Sequence, residues 1–346
     1  MPADERSGSD TRRPTLKDVA ELAGVSWSTV SNVIHDHPYI RDETRKRVEA
    51  AIAEIGYRPS LVGRQLRRGR SDLLALAVPE IASPYFAHMA HAIIAEAEQH
   101  QYTVLIDETG GNIDRERNVA AGYSSRGIEG IIFSPLSMDV ADILAAKGET
   151  PMVLLGEHVQ NGRIDHVAID NVQSAIEATD HLIATGRRKI AFIGYQPMGP
   201  TGTGDLRLKG YRQSLSAAKI PLDPTLVLEA DGFTREEGER IARDLVPRVS
   251  DIDAIVCAND LLAIGAMRIF RRAGIDVPRD IALLGWDNSP DGQYASPELT
   301  TVAPDLPAIA RVAIRTLISR IDGLQETPRD FSVPHKLLVR ESTSGR

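Results

Sequence analysis

The stretch Thr15-Leu-Lys-Asp-Val-Ala-Glu-Leu-Ala-Gly-Val-Ser-Trp-Ser-Thr-Val-Ser-Asn-Val-Ile34 decides the reading of the chain. Its first half reads as a short amphipathic helix ending at Ala23. Thr15 is its N-cap, and Asp18 lies in the first turn, where negative charge suits the helix dipole. Gly24-Val25 breaks this helix, and Ser26 caps a second one, Trp27 to Ile34, with Val30, Val33 and Ile34 facing inward. Two short helices joined by a glycine-containing turn form a helix-turn-helix, whose second helix fits the DNA major groove. The outward positions of that helix are Trp27, Ser28, Ser31 and Asn32, with Thr29 toward the phosphate backbone. They are small, polar or planar groups suited to base edges and phosphates. A third helix, from about Asp42 to Ile55, turns Val48, Ala51, Ile52 and Ile55 inward and closes a mini-core. Such a core buries little surface and is marginal alone.

The charge distribution agrees. The chain of 346 residues has a net charge of −8, which taken whole argues against DNA. Residues 11–70, however, hold 12 Arg/Lys and 7 Asp/Glu, a net of +5 that leaves −13 for the remainder. A basic head on an acidic body is expected when one small module meets phosphates. The length implies two or three domains. No run of about 18 apolar residues is present, so no membrane partner is expected, and Met1 to Arg13 has no apolar signal stretch. The single Cys, Cys257, excludes an intramolecular disulfide, and a cytoplasmic location is expected. Cys257 lies in the apolar run Ile255-Val-Cys-Ala258 and reads as a buried thiol rather than a nucleophile.

The quoted stretch, continued by Thr44-Arg-Lys-Arg-Val48 and Ile55-Gly-Tyr-Arg-Pro-Ser60, resembles the N-terminal signature of the LacI/GalR family of bacterial transcription regulators. The resemblance covers nearly the whole chain. It implies a family hinge helix at Ser60-Leu-Val-Gly-Arg-Gln-Leu66, which pairs in a dimer, enters the minor groove and wedges Leu66 between base pairs. The chain departs from the family at Gly63, where Ala is usual; glycine costs about 1 kcal/mol of helix propensity. The DNA-binding set expected is Thr15, Ser26, Trp27, Ser28, Thr29, Ser31, Asn32, His35, Tyr57, Ser60, Val62, Gly63 and Leu66. Arg12, Arg13 and His37 are further candidates for phosphate contacts.

From Asp72 the pattern changes to strands alternating with helices. Leu73 to Val78 is a continuous apolar run, as in a buried parallel strand. A helix from Pro84 to about Gln99, a strand Tyr102–Ile106, a helix from about Asp114 to Ser125, and strands Gly130–Phe133 and Met152–Leu155 follow, with a helix around Val140–Ala146 between the last two. His166–Asp170 leads into a helix Val172–Thr185. A second series begins at Lys189–Gly194, with later strands Leu226–Glu229, Ala254–Ala258 and Ile281–Gly285. Leu299–Val302 resembles the family's crossover back to the first subdomain; a helix Leu306–Ile321 and a strand Lys336–Val339 follow. The fold expected is an all-α helix-turn-helix head plus an α/β periplasmic-binding-protein-like core of two doubly wound parallel-sheet subdomains. The domains expected are a disordered tail (1–13), the helix-turn-helix (14–59), the hinge (60–71) and the core (72–346). Within the core, the N-subdomain is about 72–170 plus 300–325, and the C-subdomain about 171–299 plus 326–346.

Ligands in such sheets bind beyond the C-terminal ends of strands. Candidate effector residues are therefore Tyr85, Phe86, Ser134, Asp170, Arg207, Phe233, Asn259, Asp260, Trp286 and Asp287. Arg207 and Phe233 stand where the family grips and stacks on its effectors. Asp170 either caps the following helix or faces a ligand, and the same choice holds for Asn259-Asp260. Paired carboxylate, amide, guanidinium and aromatic groups suit sugar hydroxyls, although purine-like ligands also use this fold. Where several sugar-binding relatives carry an Asp after the Met152–Leu155 strand, this chain has Gly156-Glu157, so the pocket copies no well-known member.

No G-x-x-x-x-G-K-[ST] or G-x-G-x-x-G string is present, and no His/Cys spacing suits a metal. The expectation is a transcription regulator acting as a repressor, not an enzyme, without cofactor or metal. A transport receptor would explain the core but not the head. The expected partners are double-stranded operator DNA read as a pseudo-palindrome, a small-molecule effector with a sugar favoured, and a second copy in a homodimer. No heptad repeat follows Val339, so no tetramerising tail is expected.

Overall fold

The computed structural model describes residues 14–34, 37, 39–57, 70–123, 127–156, 162–196 and 202–344. Contacts divide the chain into two compact units, residues 1–71 and 72–346. The expected disordered tail, His35, and Ser60, Val62, Gly63 and Leu66 of the expected hinge helix lie outside the described residues.

The first unit holds α1 (Leu16–Ala23), α2 (Trp27–Ile34) and α3 (Asp42–Ile55). Thr15 caps α1: its backbone N–H and its hydroxyl both donate to the Asp18 carboxylate, at 2.6 and 2.7 Å. Gly24 ends α1 in the left-handed region, at φ 65°, which a side chain would disfavour. The three helices close on a small core built from Val19, Ala20, Ala23, Val30, Val33, Val48, Ala51 and Tyr57.

The second unit runs in chain order β1 (Leu73–Val78), α4 (Pro84–Gln99), β2 (Thr103–Glu108), α5 (Ile113–Ala120), β3 (Gly130–Phe133), α6 (Val140–Ala146), β4 (Met152–Leu155), β5 (Asp165–Ile169) and α7 (Asn171–Ala184). It continues with β6 (Ile190–Tyr195), α8 (Thr203–Ala217), β7 (Val227–Glu229), α9 (Arg235–Leu245), β8 (Ala254–Cys257), α10 (Asp260–Arg272), β9 (Ala282–Trp286), β10 (Thr300–Pro304), α11 (Leu306–Ile321), β11 (Asp330–Val333) and β12 (His335–Leu338). Among the described residues these strands form two six-stranded sheets, ordered β11-β5-β4-β3-β1-β2 and β12-β10-β9-β8-β6-β7. Every pairing is parallel except β10 with β12. Strands β3, β4, β8 and β9 are buried along their whole length, as unbroken apolar runs covered by helices on both faces must be; β5 is equally buried although it opens with Asp165 and His166.

The subdomain boundaries differ from the sequence expectation in two stretches. Thr300–Pro304 does not return to the first sheet; it pairs with β9, Thr300 opposite Leu284, inside the second. The crossover follows it, and α11 packs against α4, β3 and β4 of the first sheet. Residues Asp330–Val333, assigned from sequence to the second subdomain, pair with β5 in the first. The chain thus passes between the sheets at Asp170, at Asp305 and at Pro334, and the Asp305 N–H donates to the Pro334 carbonyl at 3.1 Å.

Helices α9 and α10 pack backbone against backbone. A Cβ built on Gly238 would lie 2.2 Å from the Leu262 carbonyl oxygen, and one on Gly265 would lie 2.0 Å from that of Arg235. Neither oxygen can give way without moving a helix. Gly265→Ala is expected to destabilise the second unit by about 1–3 kcal/mol, as overpacking does. Denaturant unfolding of the variant beside the wild type checks this, and equal midpoints would contradict it.

Candidate functional site

On the first unit, α2 presents its polar face to solvent. Trp27 is 60% exposed, and Ser26, Ser28 and Asn32 are exposed beside it. Ser26 caps the helix: its hydroxyl accepts the Thr29 N–H at 3.1 Å and lies within 2.8 Å of the Ser28 and Thr29 hydroxyls. Two residues expected at the DNA-facing surface are placed elsewhere. Ser31 is buried, because it is one helical step from Val30 and one turn before Ile34 and so shares their face. Tyr57 is buried in the mini-core, because Gly56, at φ 63°, turns the chain back over α3. Thr15 is half-buried, its hydroxyl committed to Asp18.

In the second unit, seven parallel strands end around one cleft of about 330 Å³. Glu80, Ser134 and Gly156 follow β1, β3 and β4; Gln196, Asp231, Asn259 and Asp287 follow β6 to β9. Of the sequence candidates, Tyr85, Phe86, Ser134, Arg207, Phe233, Asn259 and Asp287 line this cleft together. Tyr85 and Phe86, at the start of α4, meet edge to face with ring centres 5.1 Å apart. Sequence reasoning missed Glu80, Gln196, Thr203, Asp231 and Thr234, although the rule that ligands sit beyond strand C-termini points to each of them.

Among the described residues lining the cleft, Arg207 is the cation, and it is only 5% exposed. Its Nε donates to Asn171 Oδ1 at 2.7 Å, its Nη1 donates to the Ala258 carbonyl, and its guanidinium lies 4.9 Å from the centre of the Trp286 ring. Trp286, expected as an effector contact, is fully buried; its indole N–H donates to the Ser174 hydroxyl at 3.4 Å. It does not line the cleft and instead supports Arg207 from below, as guanidinium planes favour aromatic faces. Asn259 has two duties. Its Oδ1 accepts the Leu262 N–H at 2.9 Å and caps α10, while its Nδ2 donates to the Phe233 carbonyl at 3.1 Å and fixes the loop that carries that ring.

Asp170 resolves to a cap: its carboxylate accepts the Gln173 N–H at 2.9 Å, and it lines a separate depression with His166 and Asp330. Asp260, also expected to contact the effector, is fully buried behind the cleft. Its carboxylate accepts the Ser289 N–H and the Thr301 hydroxyl, both at 2.7 Å. It thereby ties the loop holding Asp287 and Asn288, at φ 98° and 52°, to β10. Glu116, which the sequence did not signal, does the same on the other wall. It is fully buried, and its carboxylate accepts the N–H groups of Leu136, Ser137 and Met138 at 2.8–3.2 Å. Cys257 is fully buried, and that burial pushes its thiol up, away from a reactive thiolate. Among the described residues, no group of three or more His, Cys, Asp or Glu is placed to hold a metal ion, and no helix is long and apolar enough to cross a membrane.

Comparison with known proteins agrees with both halves of this geometry. Residues 15–60 match the model of bacterial regulatory proteins of the lacI family, and residues 179–343 match the periplasmic binding protein-like domain. The HTH-type transcriptional regulator CelR of Thermobifida fusca is 35% identical over 342 residues, covering 96% of this chain and 98% of the relative. The chain belongs to the lacI family of bacterial regulatory proteins. Among solved structures of this family, a transcriptional regulator CelR–cellobiose complex is 32% identical, with a TM-score of 0.70 over 95% of this chain and all of that one. The lac repressor dimer bound to operator and the anti-inducer ONPF is 26% identical, with a TM-score of 0.85 over 96% of this chain and all of that one. These relatives are regulators, not enzymes, and this lacI-family chain is a transcription regulator.

Burial, and then the nearby charge of Asp287, push the Asp260 carboxyl up to about 8. A carboxyl in the unfolded chain titrates near ~3.9. Between those values the native state holds a proton that the unfolded chain has released, so stability falls as pH rises from about 4 to about 8. Unfolding midpoints measured across that range are expected to decline for the wild type and to decline less for Asp260→Asn, whose amide is neutral throughout. Parallel slopes for the two proteins would refute this.

Proposed function

We propose that this regulator is a repressor that binds a pseudo-palindromic operator as a homodimer in the cytoplasm and is controlled by a sugar bound in the cleft. The observation that carries the reading is the pairing, in one chain, of a solvent-facing polar helix with a cleft rimmed by hydroxyl, amide, carboxylate and aromatic groups. Helix α2 would enter the major groove through Trp27, Ser28 and Asn32. Asn32 suits bidentate pairing with adenine and Trp27 suits thymine methyls, each good base contact contributing ~1–3 kcal/mol of discrimination. The basic segment 60–71 would form the hinge, with Leu66 as the minor-groove wedge. Names of relatives favour the effector class: one solved family member is a CelR–cellobiose complex. In the cleft, Arg207, Asn259 and Asp287 would hold ligand hydroxyls, and Tyr85, Phe86 and Phe233 would cover apolar ring faces. Because the two walls belong to different sheets, a ligand touching both biases their relative angle. The coupling to DNA affinity is expected to be of order ~1–3 kcal/mol.

Selection of genomic fragments by the purified protein at near-physiological salt tests the operator. An enriched pseudo-palindrome is expected, and binding that is salt-sensitive but independent of sequence would count against the proposal. Leu66→Ala is expected to weaken operator binding more than binding to random DNA; equal losses on both would remove the wedge. Asp287→Ala, checked for an unchanged melting temperature, is expected to retain operator binding and lose the ligand response. A preserved response would take Asp287 out of the site.

A further inference from the structure

The charges on the cleft wall carry the reading of the effector one step further. Among the described residues lining the cleft, Glu80, Asp231 and Asp287 are acidic and Arg207 is the counter-charge. Arg207 already donates to Asn171 and to the Ala258 carbonyl and lies over Trp286. A sphere of the cleft's volume is roughly 9 Å across, about one Debye length at physiological salt. A ligand inside therefore feels every charge on the wall. Helix N-termini, the usual anion sites, do not reverse the balance. Helices α8 and α9 carry Asp205 and Glu236-Glu237 in their first turns, Asn259 caps α10, and α4 begins with Pro84, which has no N–H to offer.

The remaining wall is neutral and rich in hydroxyl and amide groups: Ser134, Gln196, Thr203, Thr234 and Asn259. Aromatic rings stand on both sides, Tyr85 and Phe86 on the first-sheet wall and Phe233 on the second. Two such platforms give two rings a face each. The volume lies at the low end of the roughly 300–1,000 Å³ typical of small-molecule clefts, room for about two pyranose rings.

Resting on the reading of the cleft as a sugar site, we infer that Glu80 and Asp231 make it a filter for uncharged, two-ring sugars that rejects phosphorylated sugars and nucleotides. Both stand just past the ends of strands, β1 and β7, from opposite sheets. They therefore act on whatever the cleft holds. An uncharged disaccharide meets them as hydroxyl donors, which carboxylates accept; a phosphate dianion meets them as like charges.

The test is calorimetric titration of the full chain with cellobiose, maltose, lactose and trehalose, each beside its 6-phosphate, together with glucose, hypoxanthine and adenosine monophosphate. At least one neutral disaccharide is expected to bind ten-fold or more tighter than glucose, than its own phosphate and than the nucleotide. In the Glu80→Gln, Asp231→Asn double variant, the neutral-to-phosphate ratio is expected to shrink about ten-fold. A phosphate or nucleotide that binds as tightly as any neutral disaccharide, a panel in which no neutral disaccharide binds, or a ratio unchanged in the double variant would each overturn the inference. Operator selection by the same preparation separates this failure from the other: a selected operator with an anionic or nucleobase ligand leaves the regulator standing and sinks only the filter. Absence of a selected operator counts against the operator reading under which the effector acts.

Discussion

Arg207 carries a permanent positive charge at 5% exposure, and a buried charge survives only when it is paired and hydrogen-bonded. Groups that satisfy it come from three places distant in the chain: Asn171 at the start of α7, Ala258 just after β8, and Trp286 at the end of β9. The requirement to hydrogen-bond one buried guanidinium therefore aligns the strand ends that form the second wall of the cleft. Trp286 is fully buried because it is the floor under that charge, and Ser174 takes the indole N–H that burial would otherwise orphan.

Buried carboxyl groups organise the loops around this centre in the same way. Asp260 holds the turn of Asp287 and Asn288 against β10, and Glu116 collects three consecutive backbone N–H groups at the Leu136 lip. Neither touches the cleft. Each converts a loop that would otherwise sample many conformations into a fixed edge, which is how a rigid scaffold presents binding groups on irregular chain. Gly285 fits this scheme, since a Cβ there would fall 2.4 Å from Asp260 Oδ1.

The cleft is also the place where two sheets meet. Three passages of the chain, at Asp170, Asp305 and Pro334, join them, so the two walls belong to one unit yet are built on separate hydrogen-bonded ladders. A ligand that spans both walls acts on the angle between them.

Much of this was legible in the residues. The helix-turn-helix followed from local chemistry: Thr15 and Asp18 reciprocate at the cap, Gly24 supplies the left-handed turn, and Ser26 restarts the helix. The buried strands followed from apolar runs such as Leu73–Val78, the strand-end rule singled out Asn259 and Asp287, and the family resemblance pointed to Arg207. What stayed out of reach depended on partners distant in sequence. Thr300–Pro304 and Asp330–Val333 are strands of the sheets opposite to those expected, because sheet membership is decided by pairing with β9 and β5, not by local propensity. Ser31 and Tyr57 turned inward because the mini-core had room on those faces. Asp260 and Trp286 proved to be supports rather than contacts, because identity and spacing name a group that can bind a ligand, while only packing decides whether it faces the ligand or the side chain that does.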